Sequence, residues 1–299
     1  MYSKMMTYPF IETYCRKMPI RESYSCRVAE LRHALDRAEY VVIGAGAGLS
    51  AAAGLEYSGR RFTDHFGDFI RRYGVTDLYT SSFYPFKMEE ERWAYWARHI
   101  RQNRYDETGT ELYRMLLRAV KRKEWFVITT NVDGQFEKAG FDRERVFAVQ
   151  GDYAYLQCAE ACHDKLYYNE ALVHEMTQNT ENCRIPASLV PHCPVCGGLM
   201  EVNLRKDDHF VQDAHWYESH ERYQAFMQKA CRRNALFLEL GVGYNTPTII
   251  RFPFERMASQ ADNITLVRIN RDYAEKQAPV RSFIPFREDM NKIITDILK

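Results

Sequence analysis

The chain has 299 residues, with 41 Lys and Arg against 40 Asp and Glu and a formal net charge of +1. That balance excludes a nucleic-acid-coating protein or a polyanion binder, either of which needs a lopsided electrostatic surface; 46% hydrophobic and 27% charged residues exclude disorder. The longest uncharged stretch, Tyr40 to Leu55, is too short for a membrane span, and the opening residues, with Lys4, Glu12, Arg16 and Lys17, carry no secretory pattern.

Residues 1–27 lack periodicity and are expected to form a surface arm. Leu31, Leu35 and Ala38 then recur at helical spacing, which predicts a helix from Val28 to Glu39. It feeds the β-branched run Tyr40–Ile43, suited to a buried parallel strand, and this runs straight into Gly44-Ala45-Gly46-Ala47-Gly48-Leu49-Ser50. Similar units follow: a helix over Glu111–Lys121, strands over Trp125–Thr129 and Val146–Val149, and a helix over His215–Arg232. Strands over Leu236–Leu240 and Ile264–Ile269 come next, and Met290, Ile293, Ile294, Ile297 and Leu298 close the chain as an amphipathic helix. Alternating helices and short apolar strands predict an α/β fold, a Rossmann-like parallel sheet covered by helices. Residues 153–204 break the alternation and read as a small zinc-binding module, inserted between 28–152 and 205–299 of the main domain.

Three glycines at alternate positions after a buried strand let the backbone approach a diphosphate, with free N–H groups at the next helix start. A tight turn serving no ligand is the plain alternative. The loop is not the dehydrogenase fingerprint, whose third glycine would fall at Leu49, and the acidic residue that fingerprint needs is missing from the end of a second strand. Further along, Thr129-Thr130-Asn131-Val132-Asp133-Gly134 puts polar side chains just past a strand's carboxyl end, where open α/β sheets bind ligands. A helix N-cap at Asn131 or Asp133 would explain the same residues. The next strand ends at Val149-Gln150-Gly151, on the same edge.

Of the eight cysteines, Cys158-x-x-x-Cys162 and Cys193-x-x-Cys196 form two close pairs, enough thiolates for a tetrahedral zinc site with no open position. Gly197 and Gly198 suit the tight knuckle such a site needs. Cys183, His163 and His192 are alternative ligands; Cys15, Cys26 and Cys231 are read as ordinary core or surface residues.

These motifs, in this order, resemble the sirtuins: Gly44-Ala45-Gly46-x-x-x-Ser50 with Gly54-Leu55, Thr129-x-Asn131-x-Asp133, a residue–glycine pair after a strand, two cysteine pairs, then Gly241-Val242-Gly243 and Ile269-Asn270. Two departures stand out. Glu56-Tyr57-Ser58-Gly59 replaces the Pro-Asp-Phe-Arg segment of sirtuin deacylases, and Gln150 stands where their general-base histidine would be. An amide cannot accept a proton as an imidazole of pKa ~6.5 does, so ADP-ribosyl transfer with release of nicotinamide stays reasonable while acyl transfer lacks its base.

Asn131, Gln150 and the segment Gly241-x-Gly243-Tyr244-Asn245-Thr246-Pro247 are similar to the class M, macrodomain-linked sirtuins. That resemblance implies cytoplasmic protein mono-ADP-ribosylation with NAD as co-substrate. It further implies a lipoylated acceptor resembling the glycine-cleavage H protein and a macrodomain hydrolase that reverses the mark; charge balance and the lack of a long apolar run add the expectation of no nucleic-acid or membrane partner. By resemblance, Asn131 and Gln150 orient the nicotinamide ribose and acceptor, Asp133 meets the nicotinamide side, and Gly44, Ala45, Gly46 and Ser50 meet the diphosphate. Gly241, Gly243, Asn245 and Asn270 would hold the adenosine half, and Cys158, Cys162, Cys193 and Cys196 the zinc.

Trp93, Trp96 and Ile100 share a helix with Arg92, Arg98, Arg101 and Arg104, read as tryptophans to the core and arginines to solvent, with a lid or docking surface as the alternative. One of Arg60, Arg61, Arg71 and Arg72 is expected to contact the diphosphate or an acidic acceptor. Should the chain be a deacylase after all, His65 or Asp133 would have to replace the missing base; a binding-only sensor is the third reading.

Overall fold

The computed structural model describes residues 20–106 and 110–299; most of the expected arm, and Cys15 with it, lies outside the described residues. Among the described residues, nine strands carry the architecture: β1 (Tyr40–Ala45), β2 (Glu124–Thr129), β3 (Val146–Ala148), β4 (Gly151–Cys158), β5 (Tyr167–Tyr168), β6 (Met200–Leu204), β7 (Ala235–Leu240), β8 (Ile264–Ile269) and β9 (Ser282–Phe286). Six form a parallel sheet in the order β3-β2-β1-β7-β8-β9, and β5-β4-β6 form a separate antiparallel one. The larger order is that of a Rossmann sheet, whose direction reverses between β1 and β7. Its strands are level at their carboxyl ends, with Ala45 facing Thr129 and Leu240, and Leu240 facing Ile269.

The helices of the first half are α1 (Tyr24–Arg37), α2 (Ala47–Ala52), α3 (Arg60–Tyr73), α4 (Leu78–Ser81), α5 (Glu89–Ile100), α6 (Glu111–Val120) and α7 (Gln135–Lys138). The second half adds α8 (Glu170–Gln178), α9 (Ala214–Ala230), α10 (Arg251–Gln260) and α11 (Met290–Ile297). None is long and apolar enough to cross a membrane among the described residues. The first helix begins a turn earlier than expected because Ser23 caps it, its Oγ accepting from the Cys26 N–H at 3.3 Å. Arg27, assigned to the arm, is instead buried in that helix and paired with Glu288.

Alternation along the strands divides the main core into two layers. Ile43, Val127, Leu238 and Val267 pack under α1, α6 and α11; Val42, Phe126, Phe237 and Leu266 pack under α9 and α10. A further core lies outside the sheet. Phe62, Phe66 and Phe69 of α3 and Trp93 and Trp96 of α5 pack against Tyr153, Leu156, Val173, Met200 and Val202. Each buried ring contributes about 2 kcal/mol. The smaller unit is therefore broader than residues 153–204, because the segment carrying α3 to α5 shares its core. Trp93, Trp96 and Ile100 do face that core, whereas Arg104 does not face solvent.

Candidate functional site

Open α/β sheets bind ligands in a crevice above their strands' carboxyl ends where the order reverses, here where β1 meets β7. β1 runs on to Ala45, so Gly44 and Ala45 belong to the strand, not to the turn. A Cβ on Gly44 would stand 2.5 Å from Ile250 and 2.7 Å from Phe254, and Ala45 is fully buried. These two residues shape the floor from beneath; the residue exposed at the turn is Ala47. The N–H groups of Gly46 and Gly48, expected to be free, donate to the carbonyls of Leu240 and Gly241, both at 3.0 Å. A Cβ on Gly46 would lie 2.8 Å from Gly241 O. The glycines thus serve first to bring the β1 and β7 turns into backbone contact. Gly241 itself, at φ +60°, takes the left-handed conformation that side chains disfavour.

Beside this floor lies a buried polar cluster. Asn131 Nδ2 donates to Gly46 O at 3.0 Å and to Ser50 Oγ at 3.1 Å. Ser50 Oγ donates to Asp133 Oδ2 at 2.6 Å and lies 2.9 Å from Tyr113 OH. With its amide nitrogen committed, Asn131 has its carbonyl oxygen to offer a ligand. Burial raises the Asp133 carboxyl above its ordinary range, opposed by the bonds from Ser50 and the Gln135 N–H. Tyr113, read from sequence only as part of a helix, proves a member of the cluster.

Gln150 enters from the turn between β3 and β4. Its carbonyl accepts from the Arg205 N–H at 3.0 Å, and the preceding carbonyl, of Val149, accepts from Trp216 Nε1 at 3.1 Å. Gly151 follows at φ +98°, and a Cβ there would overlap Asn203 O. Arg104 ties this turn to the previous one: its Nε donates to Asp152 Oδ1 at 2.8 Å, its guanidinium packs where a Gly134 side chain would be, and Glu137 lies 3.8 Å away. Asp133 and Asp152 line one cavity with Asn131 and Gln135.

Sequence reading missed Arg205. Its guanidinium lies over Phe210, 4.5 Å from the ring centroid, and near Trp216, and it forms no ion pair with a carboxylate among the described residues. Burial draws its pKa below the ordinary arginine value, against an opposing influence from Tyr217. Its backbone braces the Gln150 carbonyl, and the residue is exposed. Only its place in space marks it out; in sequence it is one charge before Lys206-Asp207-Asp208.

Two of the four arginines singled out around the substituted loop are held by other partners. Arg61 donates to Asn103 Oδ1 at 2.9 Å and to Gln102 O at 3.0 Å, and Arg72 pairs with Glu91 at 3.2 Å. Arg60 and Arg71 are exposed on α3. His65 is exposed on the same helix, while the histidine embedded near the crevice is His99. Its ring joins Tyr95 OH at 3.1 Å to Tyr153 OH at 3.0 Å, and Tyr153 OH lies 3.3 Å from Tyr57 OH. Burial, and then the charge of Arg61, lower its pKa to about 3, so the imidazole is neutral.

Of the residues expected on the adenosine side, Asn270 is spent on its own surroundings. Its Nδ2 donates to Val242 O at 2.8 Å and its Oδ1 accepts from the Asp272 and Tyr273 N–H groups. Asn245 is exposed on the rim and Gly243 half-buried. Ser50, Asn131 and Asp133 are thus brought into one hydrogen-bonded cluster, Gln150 is set by the adjacent turn, and Asn245 stands apart.

The thiol sulfurs of Cys158, Cys162, Cys193 and Cys196 all lie within 4.8 Å of one another. Cys158 and Cys196 are 3.7 Å apart, as are Cys162 and Cys193. Sulfurs at the corners of a zinc tetrahedron, each ~2.3 Å from the ion, would be about 3.8 Å apart. The set fits zinc, with every position taken by sulfur and none left for catalysis. Cys183 is not part of it: its Sγ faces Asp68 at 3.5 Å. His163 lies beside the cluster, with Nε2 3.5 Å from Cys193 Sγ.

A family model described as the Sir2 family matches residues 46–236. The chain is 36% identical over 271 residues to a protein ADP-ribosyltransferase of Staphylococcus aureus strain Mu50, covering 90% of this chain and 86% of that one. It is 31% identical over 261 residues to a probable bifunctional ADP-ribose hydrolase/ADP-ribosyltransferase of Fusarium oxysporum f. sp. cubense, covering 84% of this chain and 43% of that one. Among solved structures, a Sir2 homologue mutant with 2′-O-acetyl ADP ribose superposes with a TM-score of 0.58 at 17% identity, covering 90% of this chain and 94% of that one. Sir2 bound to a p53 peptide and NAD+ gives 0.53 at 17% identity, covering 90% and 96%. At such identities these two structures bear on the fold alone.

Proposed function

The chain belongs to the Sir2 family, and from that premise we propose that it is an NAD-dependent ADP-ribosyltransferase that places single ADP-ribosyl groups on a protein and releases nicotinamide. The observation that carries this reading is Gln150. It is held at the crevice by its own backbone, yet its amide has no proton affinity to offer near neutrality. Nicotinamide can leave and an acceptor can take the anomeric carbon, but drawing the proton from a ribose hydroxyl, as the deacylase step requires, has no base at that position.

The site roles proposed here join the family resemblance to the placement of each residue. Gly46, Gly48 and Gly241 keep the turn low enough for the diphosphate, with Gly44 and Ala45 beneath them. Asn131, steered by Gly46 and Ser50, offers its carbonyl oxygen to the nicotinamide ribose. Asp133 meets the nicotinamide side, and Gln150 the ribose and acceptor. Arg205 supplies the positive charge beside Gln150. Gly243, Asn245 and Asn270 frame the adenosine half. Zinc in the four-cysteine site would hold the β4–β6 unit together and take no part in transfer. The main domain is drawn from 28–152 and 205–299, less the segment carrying α3 to α5, which joins the metal-bearing 153–204 in the smaller unit.

For acceptor we propose a lipoylated carrier protein resembling the glycine-cleavage H protein, with a macrodomain hydrolase removing the mark in the cytoplasm. The Fusarium relative, whose name joins hydrolase to transferase, supports that pairing. The test is incubation with labelled NAD and the lipoylated carrier. Label on the carrier supports transfer, acyl-ADP-ribose supports a deacylase, and neither product, with NAD bound, supports a sensor.

A further inference from the structure

Two adjacent strands of the parallel sheet carry charges at a level where the strands flanking them carry Gly44 and Pro285. Glu239 in β7 and Arg268 in β8 stand level in the register, and neither has any exposed surface. Arg268 Nε and Nη2 each reach a Glu239 carboxylate oxygen at 2.7 Å, and its Nη1 donates to Glu255 of α10 at 2.6 Å. Arg251, also on α10 and wholly buried, donates to Glu239 Oε1 at 3.2 Å. Two carboxylates and two guanidiniums balance, but such a set returns little net stability, because desolvation costs about what the ion pairs contribute. Apolar residues of the same volume would hold the sheet at least as well. The cluster's remaining bonds say what it is for.

Those bonds run to backbone. Arg251 donates to the carbonyls of Val242 at 3.3 Å, Tyr273 at 2.8 Å and Glu275 at 3.1 Å, and its guanidinium lies 4.4 Å from the centroid of the Tyr244 ring. Arg268 adds a bond to Glu275 O, and Glu255 accepts from the N–H groups of Gln277 at 3.1 Å and Ala278 at 3.2 Å. Val242 and Tyr244 lie in the turn after β7; residues 273–278 lie in the irregular segment between β8 and β9. Neither segment has ladder bonds of its own there, so the buried charges supply donors and acceptors that a helix or strand would otherwise provide. Asn270 and Gln277 close the frame, bonding Val242 O and Tyr244 OH.

We propose that Arg251, together with Glu239, Arg268 and Glu255, is a positioning residue for the adenosine half of NAD, fixing the 241–245 turn and the 270–278 segment as the walls that receive it. The inference rests on the NAD reading above and adds to it residues that touch no ligand. Loosening the walls raises the cost of ordering them on binding, so it weakens nucleotide affinity while leaving the far end, where nicotinamide departs, intact.

The test uses Arg251→Met and Arg251→Lys in the full chain, with ADP-ribose binding by calorimetry, KM and kcat for NAD, and thermal melting as a check of folding. Arg251→Met is expected to raise the ADP-ribose Kd and the NAD KM together, roughly tenfold or more, with kcat at saturating NAD within about twofold and Arg251→Lys intermediate. If Arg251→Met does not fold, Arg251→Lys alone carries the comparison. A folded variant with unchanged ADP-ribose affinity, or one whose loss falls wholly on kcat, overturns the inference while the NAD reading stands. Wild-type protein that binds no ADP-ribose overturns both.

Discussion

Ser50 Oγ donates to Asp133 Oδ2 across 2.6 Å, although 83 residues separate the two. The bond joins the helix that follows β1 to the turn that follows β2, and Asn131 is oriented by the same hydroxyl. One small side chain therefore fixes both the direction of an amide and the surroundings of a buried carboxylate.

From this arrangement, Asn131→Ala and Gln150→Ala are each expected to cut transfer by roughly two orders of magnitude or more, the scale seen when one polar group facing a transition state is removed. Melting temperatures should stay close to that of the parent for Gln150→Ala, whose side chain is half-buried. Full transfer activity in that variant, measured with labelled NAD, would remove Gln150 from the site.

Arg205 makes a separate case. Its backbone N–H supports Gln150 O and survives substitution, while its guanidinium carries the charge. Arg205→Ala should reduce transfer about tenfold or more with an unchanged melting curve, and Arg205→Lys should recover part of it. Equal rates for all three proteins would leave the guanidinium without a role in the reaction.

The cysteine cluster predicts one zinc ion per chain by elemental analysis. Cys193→Ser should lose the metal and destabilise the chain by several kcal/mol, roughly, since binding to such sites is coupled to folding. A metal-free preparation that melted at the parent temperature would contradict a structural role.

His99 sets an acid limit on stability. Its ordinary pKa of 6.5 falls to about 3 in the fold, so below pH 6.5 the unfolded chain takes up a proton that the native one refuses. Stability from this group is present above 6.5 and is lost as pH falls toward 3, by about 1.4 kcal/mol per pH unit. Urea midpoints at pH 7 and pH 5 should therefore differ less in His99→Gln than in the parent. An identical pH dependence in the two proteins would show that the imidazole titrates normally.

Much of the sheet could be read directly. β1, β2, β7 and β8 are buried on both faces and appear as short apolar runs, and their polar carboxyl ends mark the crevice. β4 escaped notice because Gly151-Asp152-Tyr153-Ala154-Tyr155-Leu156-Gln157-Cys158 mixes polar and apolar residues, and β9 because Pro285 sits inside an edge strand. α3 was hidden by its arginines, although Phe62, Phe66 and Phe69 keep helical spacing. Asn131, Asp133 and Gln150 could be found because each lies at a strand end. Tyr113, His99 and Arg205 could not: each is in an ordinary-looking segment, and only tertiary packing gives it the neighbours described above.

The smaller core is assembled from two stretches that leave the parallel sheet at different points, one after β1 and one after β3. Excising the metal-bearing portion as a continuous fragment would leave its aromatic half behind, stranding Phe62, Phe66, Phe69 and Trp93 without a surface to cover. Its residues meet across long sequence separations, so its assembly depends on loop closures that the finished sheet makes cheaper. A break in the chain on either side of α6 would thus be felt at the cysteines as well as at the crevice.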